Sequence, residues 1–197
     1  PEPIIVENYV LVAENPESTV VAEYQPLPRK ESSYQSEAEL EKAFIGQLET
    51  QAYDYLTVSS EGELVANLRH QLEALNSYTF SDTEWNQFFG DRLANQNNGI
   101  EEKTAIIQED HIQLLTRDDG TVKNIYLLDK TNIHNNRLQV INQYSVDTGQ
   151  RPNRYDVTIL VNGLPLVHIE LKKRGEDIRE AFNQINRYSR ESFWAGS

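Results

Sequence analysis

The stretch that decides the fold is YDVTILVNGLPLVHIELKK, from Tyr155 to Lys173. Two apolar runs rich in β-branched residues flank Asn162-Gly163, a dipeptide typical of tight turns, so the pattern predicts a β-hairpin. Side chains along a strand point alternately to opposite faces. Val157, Ile159 and Val161 therefore form one apolar face of the first strand. Val167, Ile169 and Leu171 form the matching face of the second, and we expect both sets to lie in the core.

The polar positions of this hairpin are the candidate site. Placing both apolar sets in the core brings Asp156, Glu170 and Lys172 together on the reverse side. Directly paired residues share a face, and a slip of one residue separates them. Pairing Asp156 with Glu170 requires a loop with an odd number of residues. We therefore predict a longer turn or a bulge around Asn162–Leu164, with Gly163 at positive φ, because a two-residue turn would separate the two acids.

The 197-residue chain has the composition of a globular protein and lacks cysteine, which excludes disulfides and thiolate metal sites. No apolar run is long enough to span a bilayer, so we expect a cytoplasmic protein without membrane contact. The net charge of −13 argues against nucleic acid as a partner, but residues 151–197 carry eight basic and six acidic side chains. The small net positive charge of this region therefore surrounds the hairpin, with an unevenly charged solvated surface as the alternative interpretation.

The rest of the chain predicts an α/β (α+β) fold with a mixed sheet. Residues 1–33 read as one or two edge strands or a docking arm. Ser36 with Glu39 fits a capping box that opens a helix. The remaining elements follow from apolar periodicity and turn residues. They are helices at Glu61–Leu75, Ser81–Leu93 and Asp177–Phe193, a helix or loop at Ile100–Asp110, and strands at His111–Thr116, Val122–Leu128 and Arg137–Tyr144.

Two carboxylates with a lysine beside them suit phosphodiester hydrolysis. Carboxylates at a strand end bind Mg²⁺, which polarises a phosphoryl oxygen and lowers the pKa of a bound water. The ammonium of Lys172 orients that water or stabilises charge on the phosphate. Glu-x-Lys alone is a weak signal, since Glu101-Glu102-Lys103 repeats it. On the residues alone, a surface salt-bridge cluster is an equally good interpretation.

The motif Asp156…Glu170-Leu171-Lys172, followed by Gln184 and Tyr188 at helical spacing, resembles the PD-(D/E)XK nucleases. Tyr155 stands where the name of that motif has proline. A longer resemblance is to the N-terminal nuclease domain of the R subunit of type I restriction-modification enzymes. It is carried by the segments NRYDVTILVNGLPLVHIELKKRG and REAFNQINRYSRESFW. The resemblance covers residues 34–197, which would be the endonuclease domain, and includes SYQSEAELEKAFIGQL near its start.

The resemblance implies roles that spacing alone does not give. Asp156, Glu170 and the backbone carbonyl of Leu171 would bind Mg²⁺, and Lys172 would be the catalytic lysine. An acid of the first helix would join the site, Glu37 in preference to Glu41. Gln184, Tyr188 and the basic pair Lys173 and Arg174 would contact DNA.

The same resemblance implies a larger enzyme. No phosphate-binding Walker loop is present, so we expect this chain to be a piece that precedes an ATP-driven motor. Double-stranded DNA and the modification and specificity subunits would be the partners, with ATP required only by the complete enzyme. Two alternatives remain open at this point: a docking module of nuclease fold without activity of its own, and a related repair or junction nuclease.

Overall fold

The computed structural model describes most of the chain before residue 173. It describes residues 36–95, 97–142 and 156–172. At Ile100 and Glu101 within these ranges, only the backbone is described. The backbone alone is also described for short strands at 5–6, 9–14, 20–24, 145–146 and 153–154. The predicted helix at Asp177–Phe193 lies outside these residues, as do Lys173, Arg174, Gln184 and Tyr188. The chain divides into two compact units, Pro1–Gln35 and Ser36–Ser197.

The first unit contains a small antiparallel sheet. Its strands are β1 (Ile5–Val6), β2 (Tyr9–Glu14) and β3 (Val20–Tyr24), hydrogen-bonded in that order. The sequence predicted one or two edge strands here. The additional strand is β1, which is only two residues long and therefore carries no alternation that a pattern could reveal.

The first three helices of the second unit begin at or beside the residues that the sequence predicted. Helix α1 spans Glu37–Thr50, with the side chains and backbone of Ser36 and Glu39 bonded reciprocally in a capping box. Helix α2 spans Glu61–Asn76 behind the cap Ser60. Helix α3 spans Asp82–Phe88 and runs on as a π-helical turn at Phe89–Leu93. Ile100–Gln108 forms α4, which settles the choice between helix and loop.

Two hydrogen-bonded sheets of the second unit pack against its helices to form the core. Strands β4 (Asp54–Tyr55), β7 (Leu138–Asn142), β10 (Val157–Val161) and β11 (Leu164–Ile169) form a mixed sheet in the order β11-β10-β7-β4. Strand β4 is parallel to β7 and the other pairs are antiparallel. Strands β5 (Ile112–Thr116) and β6 (Val122–Tyr126) form the predicted hairpin. The short strands β8 (Ser145–Val146) and β9 (Asn153–Arg154) pair separately.

Both faces of the mixed sheet are covered by helices. On one face, Ile45 and Leu48 of α1 pack with Val140 and Val157. On the other, Asn67 of α2 exchanges side-chain hydrogen bonds with Gln139 of β7. Leu160, which the sequence placed on the reverse of the apolar face, is fully buried because α2 covers that side as well. Helices on both sides of a mixed sheet give the α/β architecture of the restriction-endonuclease fold.

The hairpin corrects the predicted loop. Asn162 and Gly163 both have positive φ, 51° and 81°, and form a two-residue turn of type I′ character between Val161 and its partner Leu164. The positive φ of Gly163 is confirmed, but the longer turn around Asn162–Leu164 is wrong. The odd residue lies further along β11 instead. Ile159 pairs with Val167 and Leu160 with Pro165, so Leu166 is the extra residue of a β-bulge.

The bulge restores the register that the turn alone would have lost. Beyond it Thr158 pairs with His168 and Val157 with Ile169, which aligns Asp156 with Glu170 as predicted. Pro165 was the missed signal, since a proline inside a strand is found at edges and bulges. A second prediction is also wrong: Val167, which was expected in the core, is 45% exposed on the edge strand β11. Ile169 and Leu171 do pack against the cluster beneath α1.

Candidate active site

The hairpin brings Asp156, Glu170 and Lys172 to one place. Asp156 immediately precedes β10, while Glu170, Leu171 and Lys172 immediately follow β11. Because the two strands are antiparallel, the start of one lies beside the end of the other. Asp156 therefore lies beside Glu170 and Lys172 at one end of the sheet, although it precedes them in the sequence by the length of the hairpin.

Two hydrogen bonds hold this cluster together. The backbone N–H of Leu171 donates to Asp156 Oδ2 at 2.8 Å. The ammonium of Lys172 donates to Glu170 Oε1 at 3.4 Å. The side chain of Glu170 is 5% exposed and that of Lys172 is 19% exposed. The pair is therefore shielded from water, which strengthens its attraction and makes an unpaired charge costly.

Burial and mutual repulsion raise the pKa of both carboxyls above their ordinary values. For Asp156, burial is the largest cause and raises the pKa. The hydrogen bond from the Leu171 N–H and the charge of Lys172 lower it, while the charges of Glu41 and Glu37 raise it further. For Glu170, burial is again the largest cause, followed by the charge of Asp156, while Lys172 lowers the pKa. Metal-free, the cluster carries excess negative charge that a cation would offset.

The donor set fits a hard divalent cation of the Mg²⁺ type. Mg²⁺ takes oxygen ligands, keeps several waters and is held by one or two carboxylates. Over the described ranges of the chain, no group of three or more His, Cys, Asp or Glu side chains is arranged to hold a metal ion. A site here would therefore consist of the Asp156 and Glu170 carboxylates, a backbone carbonyl and water.

The two acids of α1 differ in their surroundings. Glu37 is exposed, whereas Glu41 is buried and accepts a hydrogen bond from Asn142 Nδ2 at 2.5 Å. Asn142 ends β7 and pairs with Val157, the residue after Asp156. Of the two acids, Glu41 is the larger cause of the raised pKa of Asp156. The sequence ranked Glu37 first, and the local pattern held no sign that Asn142 would reach α1.

His168 lies two residues before Glu170 and is bonded to the sheet. Its Nδ1 lies 3.0 Å from Thr158 Oγ1, on the residue paired with it across the hairpin. The sequence favoured a hydrogen-bonded neighbour of the site over a direct contact with DNA, and the hydrogen bond is confirmed.

The raised pKa of Glu170 makes a prediction about stability without metal. A carboxyl group with a raised pKa in the folded state does not affect the free energy of unfolding at pH values below its unfolded-state pKa, about 4.3. As the pH rises above that value, ionisation of the group increasingly destabilises the folded state. Glu170→Gln removes that charge and keeps an acceptor for Lys172. In EDTA at pH 7 we expect a higher Tm for Glu170→Gln, with the gain disappearing near pH 4.

The measurement is a series of thermal melts from pH 4 to pH 8. Glu49→Gln, an exposed acid of α1, is the matched control and should leave Tm almost unchanged at every pH. A lower Tm for Glu170→Gln throughout this range would contradict the inferred cost of the buried charge.

Comparison with known proteins identifies the family. Residues 34–196 match the family model for the type I restriction enzyme R protein N terminus. The chain belongs to this family. Over 183 residues it is 48% identical to the type I restriction enzyme EcoprrI endonuclease subunit of Escherichia coli, covering 92% of this chain and 58% of that protein.

Two further relatives of the R protein family come from staphylococci. The SsaAORF53P endonuclease subunit of Staphylococcus saprophyticus is 40% identical over 81% of this chain. The SauMSSORF170P endonuclease subunit of Staphylococcus aureus is 38% identical over 82% of it. In both cases the chain spans 17% of the relative's length. The relatives are named endonuclease subunits of type I restriction enzymes, which agrees with the restriction-endonuclease architecture. No helix in the described part of the chain has the length and apolarity needed to cross a membrane.

Proposed function

We propose that this domain is the Mg²⁺-dependent DNA endonuclease of a type I restriction enzyme R subunit. The observation that carries the proposal is the cluster of Asp156, Glu170 and Lys172 at the strand ends, in a chain whose relatives are endonuclease subunits. A surface salt-bridge cluster accounts less well for it, because the Glu170 and Lys172 side chains are largely buried and both carboxyls have raised pKa values.

Each residue of the cluster has a separate task in this proposal. Asp156, Glu170 and the Leu171 carbonyl hold Mg²⁺. When bound there, Mg²⁺ would polarise a phosphoryl oxygen and lower the pKa of a water molecule. The Leu171 N–H fixes the Asp156 carboxylate. The ammonium of Lys172, held beside Glu170, stabilises the charge that develops on the phosphate.

The reaction requires no nucleophilic side chain. The water loses a proton to solvent as its oxygen forms the new bond to phosphorus, and the bond between phosphorus and the leaving sugar oxygen breaks. The leaving sugar oxygen takes up a proton from solvent. Lys173, Arg174, Gln184 and Tyr188, which lie outside the described residues, remain our proposed contacts to DNA.

We further propose Glu41, in place of Glu37, as the acid that the first helix contributes. Its burial, its hydrogen bond to Asn142 and its larger effect on the pKa of Asp156 support this choice. Glu37 still raises the pKa of both Asp156 and Glu170. It would therefore act on the site through its charge from the start of α1.

The complete enzyme would supply everything that cleavage needs besides this site. The match to a small part of the staphylococcal proteins supports a longer R subunit with an ATP-driven motor. That subunit would assemble with modification and specificity subunits on double-stranded DNA in the cytoplasm. Translocation of DNA by the motor would explain how an acidic chain reaches its substrate without a strong basic surface of its own.

A Mn²⁺ soak of the crystallised chain tests the metal site. We expect anomalous density between the carboxylates of Asp156 and Glu170. In solution, Asp156→Asn and Glu170→Gln should each remove measurable Mn²⁺ binding by calorimetry, while Glu49→Gln should bind as the wild type does. Absence of Mn²⁺ at a saturated crystal site would favour the alternative, a docking module without its own activity.

A further inference from the structure

A hydrogen-bonded chain of three side chains lies next to the proposed metal ligands. Tyr55 Oη donates to Asn142 Oδ1 at 2.7 Å, and Asn142 Nδ2 donates to Glu41 Oε1 at 2.5 Å. The residues come from β4, β7 and α1, and 87 residues separate Tyr55 from Asn142. We propose that Tyr55 and Asn142 are positioning residues that hold Glu41 at the site. This inference rests on the proposed function.

The chemistry of the three groups fixes the direction of every hydrogen bond. An ionised carboxylate only accepts, so the amide nitrogen of Asn142 must face Glu41. The amide oxygen of Asn142 then faces Tyr55, and the phenol must donate to it. The reverse orientation would place the amide oxygen against the carboxylate, which are both acceptors, and the hydrogen bond from Tyr55 adds to the stability of the observed orientation. The Tyr55 hydroxyl, on a side chain that is partly exposed at the surface, therefore acts as the donor that completes this chain of hydrogen bonds.

Glu41 needs such a restraint because of its neighbours. Its charge is one cause of the raised pKa of Asp156, which means that the two carboxylates repel each other. A glutamate side chain has three rotatable bonds and can relieve repulsion by turning toward water. The amide of Asn142 offsets the repulsion with a charge-assisted hydrogen bond, the stronger kind. Glu41 is buried at 9% exposure, and the hydrogen bond from Asn142 is one of its contacts there.

The sheet makes the restraint rigid. Tyr55 pairs with Val140 on β7, and the N–H of the next residue, Leu56, donates to the Val140 carbonyl at 2.9 Å. Asn142 pairs on its other side with Val157, next to Asp156. Strand β7 therefore joins the chain of side chains directly to the strand that follows Asp156. Placement on paired strands is the condition under which a supporting residue keeps a site in register.

Mn²⁺ affinity of the intact chain, measured by titration calorimetry, tests the proposal. Glu41 would act on the bound ion from outside its set of direct ligands, and residues in this position typically change metal affinity by about 10–100-fold. We expect Asn142→Ala to raise the Mn²⁺ Kd about tenfold, and Tyr55→Phe to raise it several-fold. In a Glu41→Ala background, Asn142→Ala should have no further effect, because residues that act through one another are not additive.

The chain offers matched controls for both substitutions. Tyr78→Phe removes a tyrosine hydrogen bond of 2.8 Å to Glu84, and Asn76→Ala removes amide hydrogen bonds to the Leu72 and Tyr126 backbones. The partners in these hydrogen bonds belong to α2, α3 and β6, none of which carries Asp156, Glu170 or Glu41. We expect each control to lower stability and leave the Mn²⁺ Kd unchanged, which separates positioning from a general loss of structure.

A second measurement does not depend on metal. In the metal-free chain, the side-chain N–H resonances of Asn142 should be shifted by the carboxylate, and Glu41→Ala and Tyr55→Phe should each move them. If the chemical shifts of these resonances are the same in the wild type and in both variants, the proposal is wrong. So would wild-type Mn²⁺ affinity in Asn142→Ala, provided that Asp156→Asn abolishes binding. If Asp156→Asn binds Mn²⁺ normally, the proposed function itself fails.

Discussion

Lys172→Ala is expected to abolish DNA cleavage by the complete R subunit assembly while leaving its ATP hydrolysis intact. Loss of one preorganised electrostatic group typically costs about 10²–10³ in rate. Lys172 follows β11 and packs on Glu170 rather than in an apolar cluster, so the fold should survive its truncation. The measurement is linearisation of circular DNA alongside phosphate release in the same reaction.

The matched control is Lys42→Ala, which truncates an exposed lysine of α1 and should leave both activities unchanged. Loss of ATP hydrolysis together with cleavage in Lys172→Ala would mean that the lysine is structural. Lys172→Arg is expected to remain defective, because a planar guanidinium does not reproduce the compact ammonium that faces Glu170.

The second large effect is expected on stability, from Gly163→Ala. Gly163 has a φ of 81°, and an added Cβ would lie 2.6 Å from Leu68 Cα and 3.1 Å from Leu68 N. A left-handed residue with a Cβ costs about 1–2 kcal/mol. Overpacking adds about 1–3 kcal/mol, and the obstacle here is helix backbone that cannot rotate away. We expect the free energy of unfolding to fall by about 2–5 kcal/mol in urea denaturation.

Gly120→Ala is the control that separates the two causes. Gly120 also has a φ of 81°, but its Cβ would meet nothing within 4 Å. It should therefore lose only the conformational part, about 1–2 kcal/mol. Equal losses at the two glycines would show that the contact between the hairpin turn and Leu68 contributes nothing.

Local signals predicted much of the second unit. Ser36 with Glu39 forms the capping box that its spacing indicated, and Ser81 with Glu84 forms a second one. The leucines of α2 are buried at helical spacing, and the turn after Arg117 joins β5 to β6. These features depend on residues a few positions apart, which is the range over which caps and periodicity act.

The errors came from interactions that local patterns do not contain. The predicted longer loop at Asn162-Gly163 is wrong because the prediction placed the odd residue in the turn. In the structure the turn has two residues, and the odd residue is Leu166 in the bulge of β11. Asn162 also acts at a distance: its buried side chain donates to the Leu127 carbonyl and accepts from the Arg137 N–H. Tyr55 and Asn142 were missed since only the sheet order brings them beside Glu41.

The extra residue at Leu166 has a consequence for how this hairpin tolerates changes in length. Leu166 has no partner on β10, so its deletion would leave Val167 paired with Ile159 and Ile169 paired with Val157. Deletion of a paired residue such as His168 would instead shift Glu170 and Lys172 by one position along β10 and move them to the opposite face of the sheet. Functional variants of the hairpin should therefore lose residues at the bulge more readily than between the bulge and Glu170.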